Sequence, residues 1–277
     1  MLTHLLTRLW TDTPFILEGA LVALLRGADP QAAEHPYFKG MREKLKPAAE
    51  MFGNLSVIPV FGALAQRPDP FEQALGIVED TGAIRALVDA SAANEEVGGI
   101  LLNVDSPGGF YTGGPELADS IKAASKRKPV MAWSGGTMAS LAYLAASQAT
   151  VVTASRSANV GSIGVYTTFW DVSKLFDAAG VKVELFKNAE GALKAIGLPG
   201  TSLSEEQRKH LQDRTQALFG EFRKTVLASR PGVPDSAMQG QTLSGHEAKR
   251  AGLIDGIGGM DYALGMLRSM VRKSQPN

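Results

Sequence analysis

Gly99-Ile-Leu-Leu-Asn-Val104, followed directly by Asp105-Ser-Pro-Gly-Gly109, decides the fold class. A short apolar run without polar alternation reads as a strand buried on both faces, the pattern of a parallel sheet covered by helices. In the turn that follows, Pro107 fixes one φ, while Gly108 and Gly109 admit backbone conformations closed to other residues. α/β proteins place ligands beyond the carboxyl ends of such strands. Amides there can face a developing oxyanion, although a plain strand-to-helix connection would look the same. The glycine spacing fits neither a dinucleotide fingerprint nor a Walker loop.

The pattern around this strand is α/β. Upstream, residues 55–61 read as a strand whose Pro59 suggests an edge position or an end, and residues 81–93 as a helix. Downstream come a helix over 115–126, a strand over 130–133, a helix over 138–149 and a strand over 151–153. Strands over 163–169 and 181–186 flank a helix over 172–179. Alternation at this spacing predicts right-handed crossovers and a parallel sheet. The longest helix runs from 202/204 to 229, with Ser204 and Gln207 forming a capping box. A short helix over 244–250 ends at Gly252, residues 253–255 are extended, and a helix over 260–271 closes the chain. Two helices, over 14–27 and 37–50, precede the main fold. The expected division is a helical N-terminal extension over 1–50 and an α/β domain over 51–277.

Composition excludes several functions. Among 277 residues, Lys+Arg and Asp+Glu both total 28, so there is no basic excess to draw nucleic acid. The one basic run, Lys126-Arg-Lys128, reads as a solvated helix end. Cysteine is absent, which removes disulfides, thiolate nucleophiles and thiolate metal sites. No apolar stretch is long enough to span a bilayer. Residues 1–10 carry His4 and Arg8 and lack a signal-type apolar core. A soluble, cytoplasmic protein is expected.

Ser140 opens the apolar stretch 138–149, where a free amide and the helix dipole would stabilise negative charge. A small residue packed between helix and sheet is an equally good reading. Ser134, beside Gly135-Gly136, is its strongest rival, ahead of Ser147, Ser155 and Ser157, and the chain has no G-x-S-x-G elbow. A nucleophilic serine needs a base. His4, His35, His210 and His246 all lie away from the strand ends, so a histidine triad gains no support. Lys194 sits between Ala192-Leu193 and Ala195-Ile196. Desolvation favours an uncharged amine, which can act as a general base, although most lysines are simply solvated. Lys187 is its nearest rival. Ser162, in Gly161-Ser-Ile-Gly164, is placed to hold that amine, or else to satisfy its own turn. Asp105, Glu116 and Asp119 lie near the glycine turn, where a helix start attracts acids anyway. No cluster has metal-ligand spacing.

Four ordered segments, Asp105-Ser-Pro-Gly-Gly109, Ala139-Ser-Leu-Ala-Tyr143, Gly161-Ser-Ile-Gly-Val165 and Gly191-Ala-Leu-Lys194, together resemble the S49 peptidases. These are the signal peptide peptidase A group and its phage relatives, the capsid-maturation proteases. The resemblance implies a ClpP/crotonase-like α/β fold with Ser140 as nucleophile, Lys194 as general base and Ser162 positioning the lysine. The amides of Gly108 and Leu141 would form the oxyanion hole, with no metal or organic cofactor. It implies a homo-oligomeric ring in which the lysine can serve a neighbour's serine. Leu141-Ala142 stands where cellular members usually have two glycines, and their membrane anchor is missing, so the chain is closer to the phage-type branch. The expectation is a Ser/Lys serine endopeptidase. It would act on a scaffold protein within a procapsid, or on signal-peptide-like substrates. Two other classes are a crotonase-like acyl-CoA enzyme, whose carboxylate and CoA groove are not evident, and a non-catalytic ring-forming scaffold.

Overall fold

The computed structural model describes residues 47–68, 72–73 and 77–274. The helix expected over 14–27 and most of the one over 37–50 fall outside these residues. Residues 47–49 have no regular structure, and Glu50 belongs to a strand rather than a helix.

Strand β1 (Glu50–Phe52) turns back antiparallel into β2 (Leu55–Ala65) through Gly53, whose φ is +67°. Further strands are β3 (Val78–Asp80), β4 (Gly99–Gly109), β5 (Val130–Ser134), β6 (Thr137–Ala139), β7 (Val151–Ala154), β8 (Asn159–Gly161), β9 (Thr242–Ser244) and β10 (Gly256–Ile257). The order runs β10-β7-β5-β4-β6-β8-β9, with β2 on the other side of β4 and β3 on β2. All pairings are parallel except β1 with β2 and β8 with β9. β4 belongs to two layers. Ile100 to Asn103 pair with β5, while Ser106, further on, pairs with Met138 of β6.

Helices α1 (Thr81–Ala93), α2 (Gly114–Ser125) and α3 (Leu141–Ala146) cover one face of the main sheet. The apolar run that marks β4 is explained by its two faces. Ile100, Leu102 and Val104 pack with Ile84, Leu117 and Ile121 on the helical side. Leu101 packs with Leu55, Val57 and Met131 under α7 (Met260–Ser274). Each such fully buried side chain contributes about 2 kcal/mol. Between α3 and α7 lie α4 (Ser173–Ala178), α5 (Glu205–Ser229) and α6 (Gly245–Arg250). Ser204 and Gln207 form the expected capping box at α5, and Gly252 has φ +77° past α6. Just beyond α5, Arg230 is buried and its Nη1 donates to both carboxylate oxygens of Asp255, each at 2.7 Å.

Pro59 is not on an edge strand. β2 pairs with β1 through Leu55–Val57 and with β3 through Ala63–Ala65 on one flank, and with β4 on the other. The proline occupies the gap between β1 and β3, where that flank has no neighbour among the described strands and a missing N–H can be tolerated.

Two other expectations fail. The helix read over 138–149 begins later: Met138 and Ala139 are strand, and the helix is Leu141–Ala146. Residues 163–169 and 181–186 form no strands. Their alternation is genuine, but a strand needs a partner for its backbone groups, and no described strand pairs with them. Tyr166 is 77% exposed and Phe186 89%. The helix expected between them is present as α4.

Candidate active site

Pairing of Ser106 with Met138 lays the glycine turn of β4 beside the chain running from β6 into α3. Ser140 is the single residue between β6 and α3. Its backbone has φ 50° and ψ −125°, a conformation that costs a non-glycine residue about 1–3 kcal/mol. Its N–H donates to the Gly161 carbonyl at 2.8 Å, and its carbonyl accepts from Leu144 N–H at 2.9 Å. Among the described residues its half-buried hydroxyl has no hydrogen-bond partner.

Gly108 closes against this serine. Its φ is +98°, and a β-carbon there would stand 2.6 Å from Ser140 Cβ, 2.8 Å from Leu141 N and 2.9 Å from the Ala139 carbonyl oxygen. Only a hydrogen fits. Leu141 N–H belongs to the first turn of α3, whose amides have no acceptor within the helix. The Gly108 N–H donates to Ser106 Oγ at 3.1 Å. Phe110 N–H donates to the Leu64 carbonyl at 2.8 Å, and Gly109 lies opposite Leu64 in register.

Asp105 has a part that its sequence reading did not reveal. Its Oδ1 accepts the Thr137 N–H at 2.9 Å, and Gly136 leaves the room that this carboxylate occupies. The acid before the turn therefore ties β4 to β6 just ahead of Ser140. The available signal was Gly135-Gly136, two residues without side chains at a strand end.

Ser162 follows β8 with φ 49°, its N–H donating to the Gln241 carbonyl at 2.7 Å. Lys194 lies in an irregular stretch beside Ala195, whose φ is 61°. It is exposed, and among the described residues its amine has no partner. The structure thus brings Gly108, Ser140 and Leu141 together. It makes no hydrogen bond between Ser140 and either Ser162 or Lys194, and the described residues leave the lysine exposed. Of the four described non-glycine residues with positive φ, two (Ser140 and Ser162) fall in the motif segments, Ala195 directly follows one, and the fourth is Arg67. Strain of this kind gathers at functional sites.

The rival serines are engaged elsewhere. Ser134 Oγ accepts from Gly136 N–H at 3.3 Å, Ser147 donates to the Leu144 carbonyl at 2.7 Å, and Ser155 donates to the Gly135 carbonyl at 3.1 Å. His210 and His246 are exposed on α5 and α6. Among the described residues, no group of three or more His, Asp or Glu is placed to hold a metal ion, and no helix is long and apolar enough to cross a membrane.

Residues 122–273, more than half of the chain, match peptidase family S49. The chain belongs to that family. It is 31% identical over 232 residues to the capsid assembly protease C of Escherichia phage lambda, covering 82% of this chain and 52% of that protein. It is also 31% identical over 204 residues to the head-tail preconnector protein GP5 of Enterobacteria phage P21, covering 73% and 40%. Identity to the chloroplastic serine protease SPPA of Arabidopsis thaliana is 28% over 171 residues, covering 61% and 25%. The chain therefore spans from about half to a quarter of the length of these relatives. Among solved structures, an enoyl-CoA hydratase/isomerase family member is similar at a TM-score of 0.42 and 13% identity, over 82% of this chain and 76% of that one.

Proposed function

We propose that this protein is a serine endopeptidase in which Ser140 is the nucleophile and Lys194 the general base. The observation that carries the reading is the contact of Gly108 with Ser140 and the Leu141 amide. An unpartnered hydroxyl on a strained turn, one residue ahead of a free helix-start amide, supports the reading. Ser140 Oγ attacks the peptide carbonyl as its proton passes to the amine of Lys194. The Leu141 N–H and an amide of the glycine turn hold the oxyanion, an interaction worth about 3–4 kcal/mol per donor. To be the second donor, Gly108 would have to release Ser106 Oγ. The lysine then protonates the leaving amine, and water hydrolyses the acyl-enzyme.

A lysine acts as a base only when uncharged, which a water-excluding setting favours. Lys194 is exposed in the single chain, so the proposal has it serve Ser140 of an adjoining copy, with Ser162 orienting the amine. Support comes from the large apolar side chains left exposed in the same stretch of chain, Tyr166, Trp170, Leu175, Val181, Phe186 and Leu198, which suit an interface. The proposed assembly is a homo-oligomeric ring. Its proposed substrate is a capsid scaffold protein within a procapsid, with signal-peptide-like segments in the cytoplasm as the other substrate class.

The test is cleavage of casein or a fluorogenic peptide by Ser140→Ala, Lys194→Ala and the two co-expressed. Each single variant should lose at least about a hundredfold in kcat. Co-expression should restore part of the rate, because some sites then combine an intact serine with a neighbour's intact lysine. Full activity of either single variant refutes the dyad, and no restoration refutes action between copies.

A further inference from the structure

Ser140 holds a strained backbone only if its surroundings force it to. Its helix cannot do so alone, since α3 has six residues and isolated helices that short are unstable. Its side chains, Leu-Ala-Tyr-Leu-Ala-Ala, are all buried. Five of them pack without directional preference. Tyr143 is the sixth and the only one with a polar group. It lies one turn beyond Ser140, on the same side of the helix.

The phenol of Tyr143 is fully buried and donates to the Leu253 carbonyl at 2.8 Å. That acceptor is itself fixed. Leu253 N–H donates to the Ala248 carbonyl at 2.8 Å, and Asp255 N–H to the Val152 carbonyl at 2.7 Å. Asp255 Oδ2 accepts Val152 N–H at 2.7 Å, and Arg230 grips both carboxylate oxygens. The carbonyl thus belongs to a segment pinned to β7 and to the end of α5. No other hydrogen bond from a side chain of α3 fixes how the helix is turned about its axis.

We propose that Tyr143 is a positioning residue: its bond to Leu253 sets the rotation of α3 and so keeps Ser140 in its positive-φ conformation against Gly108. The inference rests on the reading of Ser140 as nucleophile. Tyr143→Phe removes one hydroxyl and keeps the ring. Misplacement of a reacting atom by a fraction of an ångström is costly, so kcat should fall about tenfold with KM within about twofold. Labelling of Ser140 by a fluorophosphonate should slow by a similar factor, both measured where circular dichroism shows a folded protein. A side chain that only filled space would lower the melting temperature and leave the kcat of the folded enzyme unchanged, and that result overturns the proposal.

Replacement of Tyr143 by 4-aminophenylalanine restores a donor at the same place and should return kcat to within about threefold of the parent. A folded 4-aminophenylalanine variant that has lost tenfold overturns the proposal, also where the phenylalanine variant does not fold. Ser140→Ala separates the two readings. An active Ser140→Ala enzyme refutes the nucleophile itself. An inactive one, beside a fully active Tyr143→Phe enzyme, refutes only the positioning role.

Discussion

Gly108 and Ser140 meet so closely that no β-carbon fits between them: one built on Gly108 would stand 2.6 Å from Ser140 Cβ. The other atoms in the way, Leu141 N and the Ala139 carbonyl oxygen, are backbone and cannot swing aside as a side chain would. Gly108→Ala also meets the strain of φ +98°. It should lower stability by about 2–4 kcal/mol and push the turn away from Ser140, with at least a hundredfold loss of kcat. Urea unfolding and peptide cleavage measure the two effects.

Ser140→Gly should separate stability from activity. Glycine adopts the φ of 50° seen at this position without strain, which outweighs its extra freedom in the unfolded chain by about 1 kcal/mol. Ser140→Ala keeps the strain and gives no such gain. Thermal melting of the two variants should rank glycine above alanine, with both inactive.

Glu79 adds a pH dependence to stability. Burial, and then the neighbouring charge of Asp80, push its carboxyl from 4.5 up to about 7, and among the described residues its buried Oε2 has no hydrogen-bond partner. Between those values the folded chain keeps a proton that the unfolded chain releases, so this contribution to stability is full below pH 4.5 and is lost as pH rises toward 7. Glu79→Gln should flatten that fall and melt higher than the parent at pH 8. Melting temperatures of both proteins at pH 5 and pH 8 decide it, and parallel curves would refute it.

Arg230→Met should destabilise by about 3 kcal/mol, because removing one partner strands the other. The figure sits at the low end for a buried pair because the Asp255 side chain is 42% exposed. The cost should shrink in the Arg230→Met/Asp255→Leu double variant, which leaves no stranded charge. Denaturant midpoints of the single and double variants give the comparison.

Much of the fold was legible because the signals are local. The run at Gly99–Val104 is apolar on both sides because Leu101 and its neighbours face different cores. Ser204 and Gln207 reveal α5 because a capping box lies within four residues. Residues 163–169 and 181–186 misled because alternation reports a tendency to extend, not the presence of a neighbour. The helix over 138–149 was begun too early because nothing local shows that Met138 pairs with Val160 of β8.

The candidate site divides in the same way. Residue types and order singled out Ser140 and Gly108, but their contact depends on β4 and β6 lying side by side. The bonds from Asp105 to Thr137 and from Tyr143 to Leu253 join residues far apart in the chain, so no local pattern announces them.

The place of β4 in two layers also sets an order of events for the newly made polypeptide. Gly108 reaches Ser140 only after β4 has found β6, and the Ser140 amide reaches Gly161 only once β8 has joined. Pairings of this long-range, parallel kind are slow to form. The contact between Gly108 and Ser140 is therefore a property of the completed sheet and not of either segment alone.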